Sequence, residues 1–291
     1  MKLSLTNAAF PNLSLDALLD QSAQLGFDGV ELSTLHGQAD LGLTADFETR
    51  ADTIRARLDE TRQQIVAIHA GSFAPARPAD RAGLPLALEQ TLRAAAAVGA
   101  PLVIVSGVGA PNGADRQDLL QRYVAALPEP ALRAAELGVS LALENTGVLS
   151  RTADLWYVHD AIGMPNLRVC LDPLRSTAAG DSPSFALTRL AGALAMVRLG
   201  AIRAEDAPDD DHRFIPDVDA ANYAYVIELL RGLAFRGHLS LTPPDGVADQ
   251  DAQAYLKAAA AAVRAELARP PVVLTAYKAD KTGPRFAAAQ S

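Results

Sequence analysis

Apolar residues along the chain fall into short runs, separated by longer stretches in which they recur at helical spacing. Residues 102–106 read L-V-I-V-S, residues 140–144 read S-L-A-L-E and residues 167–171 read L-R-V-C-L. Runs of this length, apolar and β-prone, fit strands of a buried parallel sheet. Further runs of the same character occupy residues 2–7, 29–32, 65–69, 196–199 and 238–241. Between them, helical periodicity marks residues 15–25, 46–64, 84–98, 116–137, 152–162, 184–194, 220–233 and 249–268. Pro128 and Pro130 divide 116–137 into two helical pieces. Ser14 is an expected N-cap and Gly26 an expected stop for the first helix. Eight strands alternating with helices predict a parallel sheet with helices outside, closed into a (β/α)8 barrel. An open doubly wound sheet is the alternative, but no G-x-G-x-x-G follows the first strand. The barrel is expected over residues 1–268, with 269–291 as a C-terminal appendage or tail.

Composition narrows the classes. Hydrophobic residues make up 49% of 291 residues, enough for a sizeable core. The net charge is -8 and no lysine run or basic stripe occurs, which argues against a nucleic-acid partner. No apolar run is long enough to span a bilayer, and the first residues are too polar for a signal h-region. A single cysteine, Cys170, leaves no intrachain disulfide. The cytoplasm is the expected location and a small molecule the expected partner; a homo-oligomer is compatible with the sequence. The acidic run E-D-A-P-D-D-D at 205–211 reads as a solvated loop.

The chemistry is concentrated at strand ends. The fifth run stops on Glu144 and Asn145, the sixth on Asp172, the third on His69, and the second carries Glu31. On an α/β barrel the C-terminal strand ends form the active face, so these groups share one mouth. The alternative for the two acids is structural, either capping a turn or pairing with an arginine. His69 is a candidate general acid or base, because an imidazole titrates near neutrality. His36 and Glu31 are placed at the same rim. His159, His212 and His238 read as structural.

Five segments in order carry a resemblance: G-F-D-G-V-E-L (26–32), A-I-H-A (67–70), G-V-S-L-A-L-E-N (138–145), L-R-V-C-L-D with A-A-G-D beyond it (167–181), and the last helix and strand (218–241). Together they resemble the xylose-isomerase-like TIM-barrel superfamily, which includes sugar epimerases, inosose and dehydroshikimate dehydratases, and apurinic-site nucleases. The resemblance covers roughly residues 1–268. It implies one divalent metal, Mg²⁺ or Mn²⁺, held at strand ends by Glu, Asp, His and Glu. Carried over, the first Glu falls on Glu144 and the Asp on Asp172. The His position is Arg198, in V-R-L-G-A, and the last Glu position is Thr242, in S-L-T. A further His that often follows the Asp is Arg175, and His69 matches the histidine of strand three. Two carboxylates hold a hard cation only with much water, and arginine stays protonated and does not ligate. Any metal would therefore rest on Glu144 and Asp172 alone.

Two readings of the arginines stay open. They are either drift in an Arg-rich chain or a charge substitution in which Arg175 and Arg198 replace the cation or clamp an anionic group. The implied function is isomerase-, epimerase- or dehydratase-type proton transfer on a sugar, polyol or related hydroxy-carbonyl compound. Catalytic candidates are Glu144, Asp172 and His69; substrate-binding candidates are Arg175, Arg198, Glu31, His36 and Asn145. The competing reading is a non-catalytic barrel that binds a ligand or partner. A nuclease is disfavoured, because five histidines are too few for a His-rich multi-metal cluster.

Overall fold

A computed structural model describes residues 1–10, 12–33, 46–75, 84–109, 115–200, 220–243 and 249–270. Eight parallel strands close a barrel in sequence order: β1 (Lys2–Thr6), β2 (Gly29–Ser33), β3 (Ile65–Phe73), β4 (Leu102–Gly107), β5 (Ser140–Glu144), β6 (Leu167–Leu171), β7 (Leu194–Gly200) and β8 (His238–Thr242). β8 pairs back onto β1, with Ser4 opposite Ser240. The barrel expectation holds, and the open sheet is excluded by this closure.

Helices run outside. They are α1 (Leu15–Gln24), α2 (Asp46–Thr49), α3 (Ala51–Thr61), α4 (Leu86–Val98), α5 (Arg116–Ala126), α6 (Pro128–Glu136), α7 (Thr152–Ile162), α8 (Pro173–Ala178), α9 (Pro183–Leu190), α10 (Ala220–Gly232) and α11 (Asp249–Ala268). Ser14 caps α1 by accepting from the Ala17 N–H. Leu127 separates α5 from α6, whose first turn takes the two prolines, where a missing N–H costs little.

Three boundaries differ from the sequence reading. The 46–64 helix is two pieces meeting at Arg50. The 184–194 helix stops at Leu190, because β7 begins at Leu194 and its carbonyls pair in the sheet. β3 runs to Phe73, since Ser72 and Phe73 continue pairing with Ser106 and Gly107 beyond a bulge. A short helix, α8, was not foreseen; Asp172 and Pro173 start it. His36, His212, the acidic 205–211 run and residues 271–291 lie outside the described residues.

The core has two parts. Most apolar side chains pack between strands and helices, among them Ile68, Val105, Leu143, Leu171 and Val197. A second, smaller cluster fills the barrel itself and includes Ala67, Ile104, Ala142, Cys170 and Met196. Two residues further along each of those five strands stand His69, Ser106, Glu144, Asp172 and Arg198, all buried. Period two thus carries each strand from an apolar layer into a polar one. Gly147 shapes the loop leaving β5: its φ is +56°, and a Cβ there would sit 2.3 Å from the Val108 carbonyl oxygen.

Candidate active site

Arg198 is the centre of the polar layer. Its Nη1 donates to Glu144 Oε1 and its Nη2 to Glu31 Oε1. The second oxygen of each acid is held by a serine from a neighbouring strand. Ser240 Oγ donates to Glu31 Oε2 at 2.7 Å, and Ser106 Oγ donates to Glu144 Oε2 at 2.5 Å. The result is a continuous Ser240–Glu31–Arg198–Glu144–Ser106 chain across β8, β2, β7, β5 and β4. His69 joins it from β3, with Nε2 3.3 Å from Glu144 Oε2 and 3.2 Å from Ser106 Oγ. The Gly71 N–H donates to His69 Nδ1 at 3.0 Å, which puts the ring proton on Nε2 in that tautomer.

Burial is the largest influence on Glu144 and pushes its carboxyl up. The opposing charge of Arg198, with His69 and Arg175, outweighs it and holds Glu144 well below the usual carboxylate range. Burial likewise opposes the charge on Arg198, but Glu31 and Glu144 raise it well above an ordinary arginine. Glu144 and Arg198 are therefore both ionised.

Asp172 is built differently. It is the N-cap of α8, where Oδ1 accepts from the N–H groups of Leu174 at 2.9 Å and Arg175 at 3.3 Å. Oδ2 lies 3.4 Å from Arg175 Nε, whose side chain is 48% exposed. Burial dominates here and raises the carboxyl above its usual range, against the pull of Arg175. Gly200 makes room for it, since a Cβ there would come within 3.0 Å of Asp172 Oδ2. The capping role and the arginine pairing foreseen for the acids thus both occur, on the same residue.

Asn145 locks Asp172 in place. Its Oδ1 accepts from the Asp172 N–H and its Nδ2 donates to the Asp172 carbonyl, both at 2.8 Å, with a further bond to Ser176 Oγ at 3.1 Å. Among the described residues, the buried Thr242 hydroxyl and Arg198 Nε have no hydrogen-bond partner. Ser106 and Ser240 escaped the sequence reading. The available signal was a lone hydroxyl interrupting an apolar strand at an inward position.

The residues present do not fit the family's divalent metal. All four carboxylate oxygens of Glu31 and Glu144 already accept hydrogen bonds, and a guanidinium stands where a histidine ligand is expected. Among the described residues no group of three or more His, Cys, Asp and Glu is arranged to hold a metal ion. No helix among them is long and apolar enough to cross a membrane. The described residues also line a cavity of about 360 Å³ at the opposite end, between Leu58, Gln64, Val66 and His238. On this fold the N-terminal face usually serves stability.

Solved structures share this fold. A crystal structure of IOLI protein with a bound zinc atom superposes with a TM-score of 0.74 at 15% identity, over 92% of this chain and 100% of that one. D-psicose 3-epimerase in the presence of D-fructose gives 0.71 at 17% identity, covering 92% and 99%. The probable 3-DHS dehydratase AsbF from Bacillus anthracis gives 0.69 at 17%, covering 91% and 99%. At these identities the likeness is one of fold. No curated protein matches the chain. The sequence model of the xylose isomerase-like TIM barrel, however, matches residues 19–265, and by that match the chain belongs to this family.

Proposed function

We propose that the protein is an enzyme that moves a proton on a sugar, polyol or related hydroxy-carbonyl compound at the C-terminal mouth of the barrel, with Asp172 as the proton-handling group. The observation that carries this reading is the contrast between the two family carboxylates. Glu144 is held ionised with both oxygens engaged, which makes it a poor base. Asp172 has its proton affinity raised by burial and keeps Oδ2 free of any hydrogen bond from the main chain. A carboxylate pushed toward the working pH is the better general base. Arg175, half-exposed beside it, supplies positive charge for an oxygen that becomes negative as the proton leaves. Arg198 Nε and Thr242 Oγ1 are two further polar groups without partners among the described residues. Glu144, Glu31, Ser106 and His69 hold Arg198 in place, and Asn145 holds Asp172.

Thr242 stands where the second glutamate of a two-base pair would be, and a hydroxyl does not serve as that base. One carboxylate that takes the proton from the carbon beside the carbonyl and returns it to the former carbonyl carbon, while the hydroxyl proton passes to the carbonyl oxygen at the enediol stage, suits aldose–ketose isomerisation. Two-base inversion at one centre suits it less. The test is solvent deuterium exchange at the carbon next to the carbonyl, followed by NMR over a panel of aldoses, ketoses and keto-polyols. The wild type is expected to exchange and isomerise one class. Asp172→Asn, which keeps the α8 cap, is expected to lose at least about 100-fold in rate. Unchanged exchange in that variant sinks the reading.

A non-catalytic barrel is the second reading. The internal satisfaction of Glu31 and Glu144 favours it. Saturable binding of a panel compound with no proton exchange would select it.

A further inference from the structure

Three carboxylates, Glu31, Glu144 and Asp172, are buried at one end of the barrel. Buried charges persist only when paired; Asp172 has Arg175 beside it, so Glu31 and Glu144 require a cation of their own. We propose that the guanidinium of Arg198 is that cation, tethered to β7 in place of a divalent metal, and that a metal site lies latent beneath it. The barrel mouth is then complete without metal.

Position is the first argument. Arg198 stands on β7 between β6 and β8, whose ends carry Asp172 and Thr242. It reaches Glu144 on β5 and Glu31 on β2 across the barrel. Its two Nη groups meet one oxygen of each glutamate, while Asp172 on the neighbouring strand end pairs with Arg175.

Valence is the second argument. A dication would neutralise two carboxylates through their lone pairs. A guanidinium brings a single charge, and the two serines make up the remaining donors. Ser106 and Ser240 occupy the oxygens that Arg198 leaves. The planar fork with two separate Nη groups is what permits one cation to bridge two acids, and a lysine would not reproduce it.

The floor is the third argument. Ala67, Ile104, Ala142, Cys170 and Met196 leave no alternative ligand below.

The inference is independent of the reaction proposed above, because it is read by metal binding and melting temperature, not by turnover. Full-length wild-type protein is melted with EDTA and with about 1 mM Mn²⁺, alongside Arg198→His/Thr242→Glu, which restores the family's four ligand types. A site of roughly 10 μM affinity raises the melting temperature by about 5–10 °C at that concentration. The wild type is expected to shift with neither reagent, and the double variant to rise with Mn²⁺. Stoichiometric Mn²⁺ binding or loss of stability in EDTA for the wild type overturns the proposal, as does a folded double variant indifferent to Mn²⁺. Should the double variant not fold, Arg198→Met and Arg198→Met/Glu31→Gln/Glu144→Gln decide. The single change is expected to lower the melting temperature by about 10 °C or abolish folding, and the neutral triple variant to recover most of that loss. Equal losses in both would show that Arg198 is not there to neutralise the acids, and would overturn it.

Discussion

Two layers of the same barrel interior stand one step apart on five strands. The lower is Ala67, Ile104, Ala142, Cys170 and Met196; the upper is His69, Ser106, Glu144, Asp172 and Arg198. Both are buried, and both come from the same period-two alternation. Their stabilities have different sources. The lower layer is held by apolar burial and close packing, where a methyl group is the unit of cost. The upper layer is held by completeness: each charge is tolerable only because its partner is present. A barrel can therefore carry a polar site directly on its core, provided the site satisfies itself. Here that requirement binds Glu144 into structure, whereas Asp172 Oδ2 faces the half-exposed Arg175.

Substitutions can break this comparison. Arg198→Met should be the most damaging, at about 3–5 kcal/mol in urea unfolding, because it leaves two glutamates buried without a cation. Ile104→Ala, in the layer below, should cost about 2–4 kcal/mol through the cavity it leaves. A result in which Ile104→Ala costs clearly more than Arg198→Met would mean that the upper layer is not governed by charge pairing.

Acid should separate the two carboxylates. Glu144 has its folded pKa below its ordinary value of 4.5, so the unfolded chain binds its proton first. Its contribution to stability is present above about pH 4.5 and drains away as pH falls toward its folded pKa. Asp172 has the opposite sign. Its folded pKa lies above 3.8, so its ionisation costs stability as pH rises from 3.8 through the folded value. Urea midpoints from pH 3 to 7 should fall on the acid side in the wild type. That fall should be shallower in Glu144→Gln and steeper in Asp172→Asn. The smallest expected effect is Ser240→Ala, about 1–2 kcal/mol, since it removes one bond to an ion-paired acid whose other oxygen keeps Arg198.

The strands were legible because alternation and apolar runs are local. The eight runs marked the eight strands, and Glu31, His69, Glu144, Asn145 and Asp172 could be named from strand ends, whereas Arg175, Arg198 and Thr242 came from the family resemblance. What escaped had no local signature. Ser106 and Ser240 look like ordinary strand serines until closure places them against carboxylates. The short α8 escaped because six residues are too few to show helical periodicity, although Asp before Pro is a good helix start. The early end of α9 escaped because its helical spacing runs on into β7, and sheet pairing decides the boundary.

By itself, the chain's pattern determined a parallel eight-stranded barrel with acids and a histidine at its strand ends, and the family resemblance added the two arginines. Tertiary structure alone decided what those groups do to one another. Arg198 meets Glu31 from 167 residues away and Ser240 meets Glu31 across 209, distances that no periodicity encodes. Secondary structure follows from neighbours in sequence. Charge pairing follows from neighbours in space, and those exist only once β8 has closed on β1.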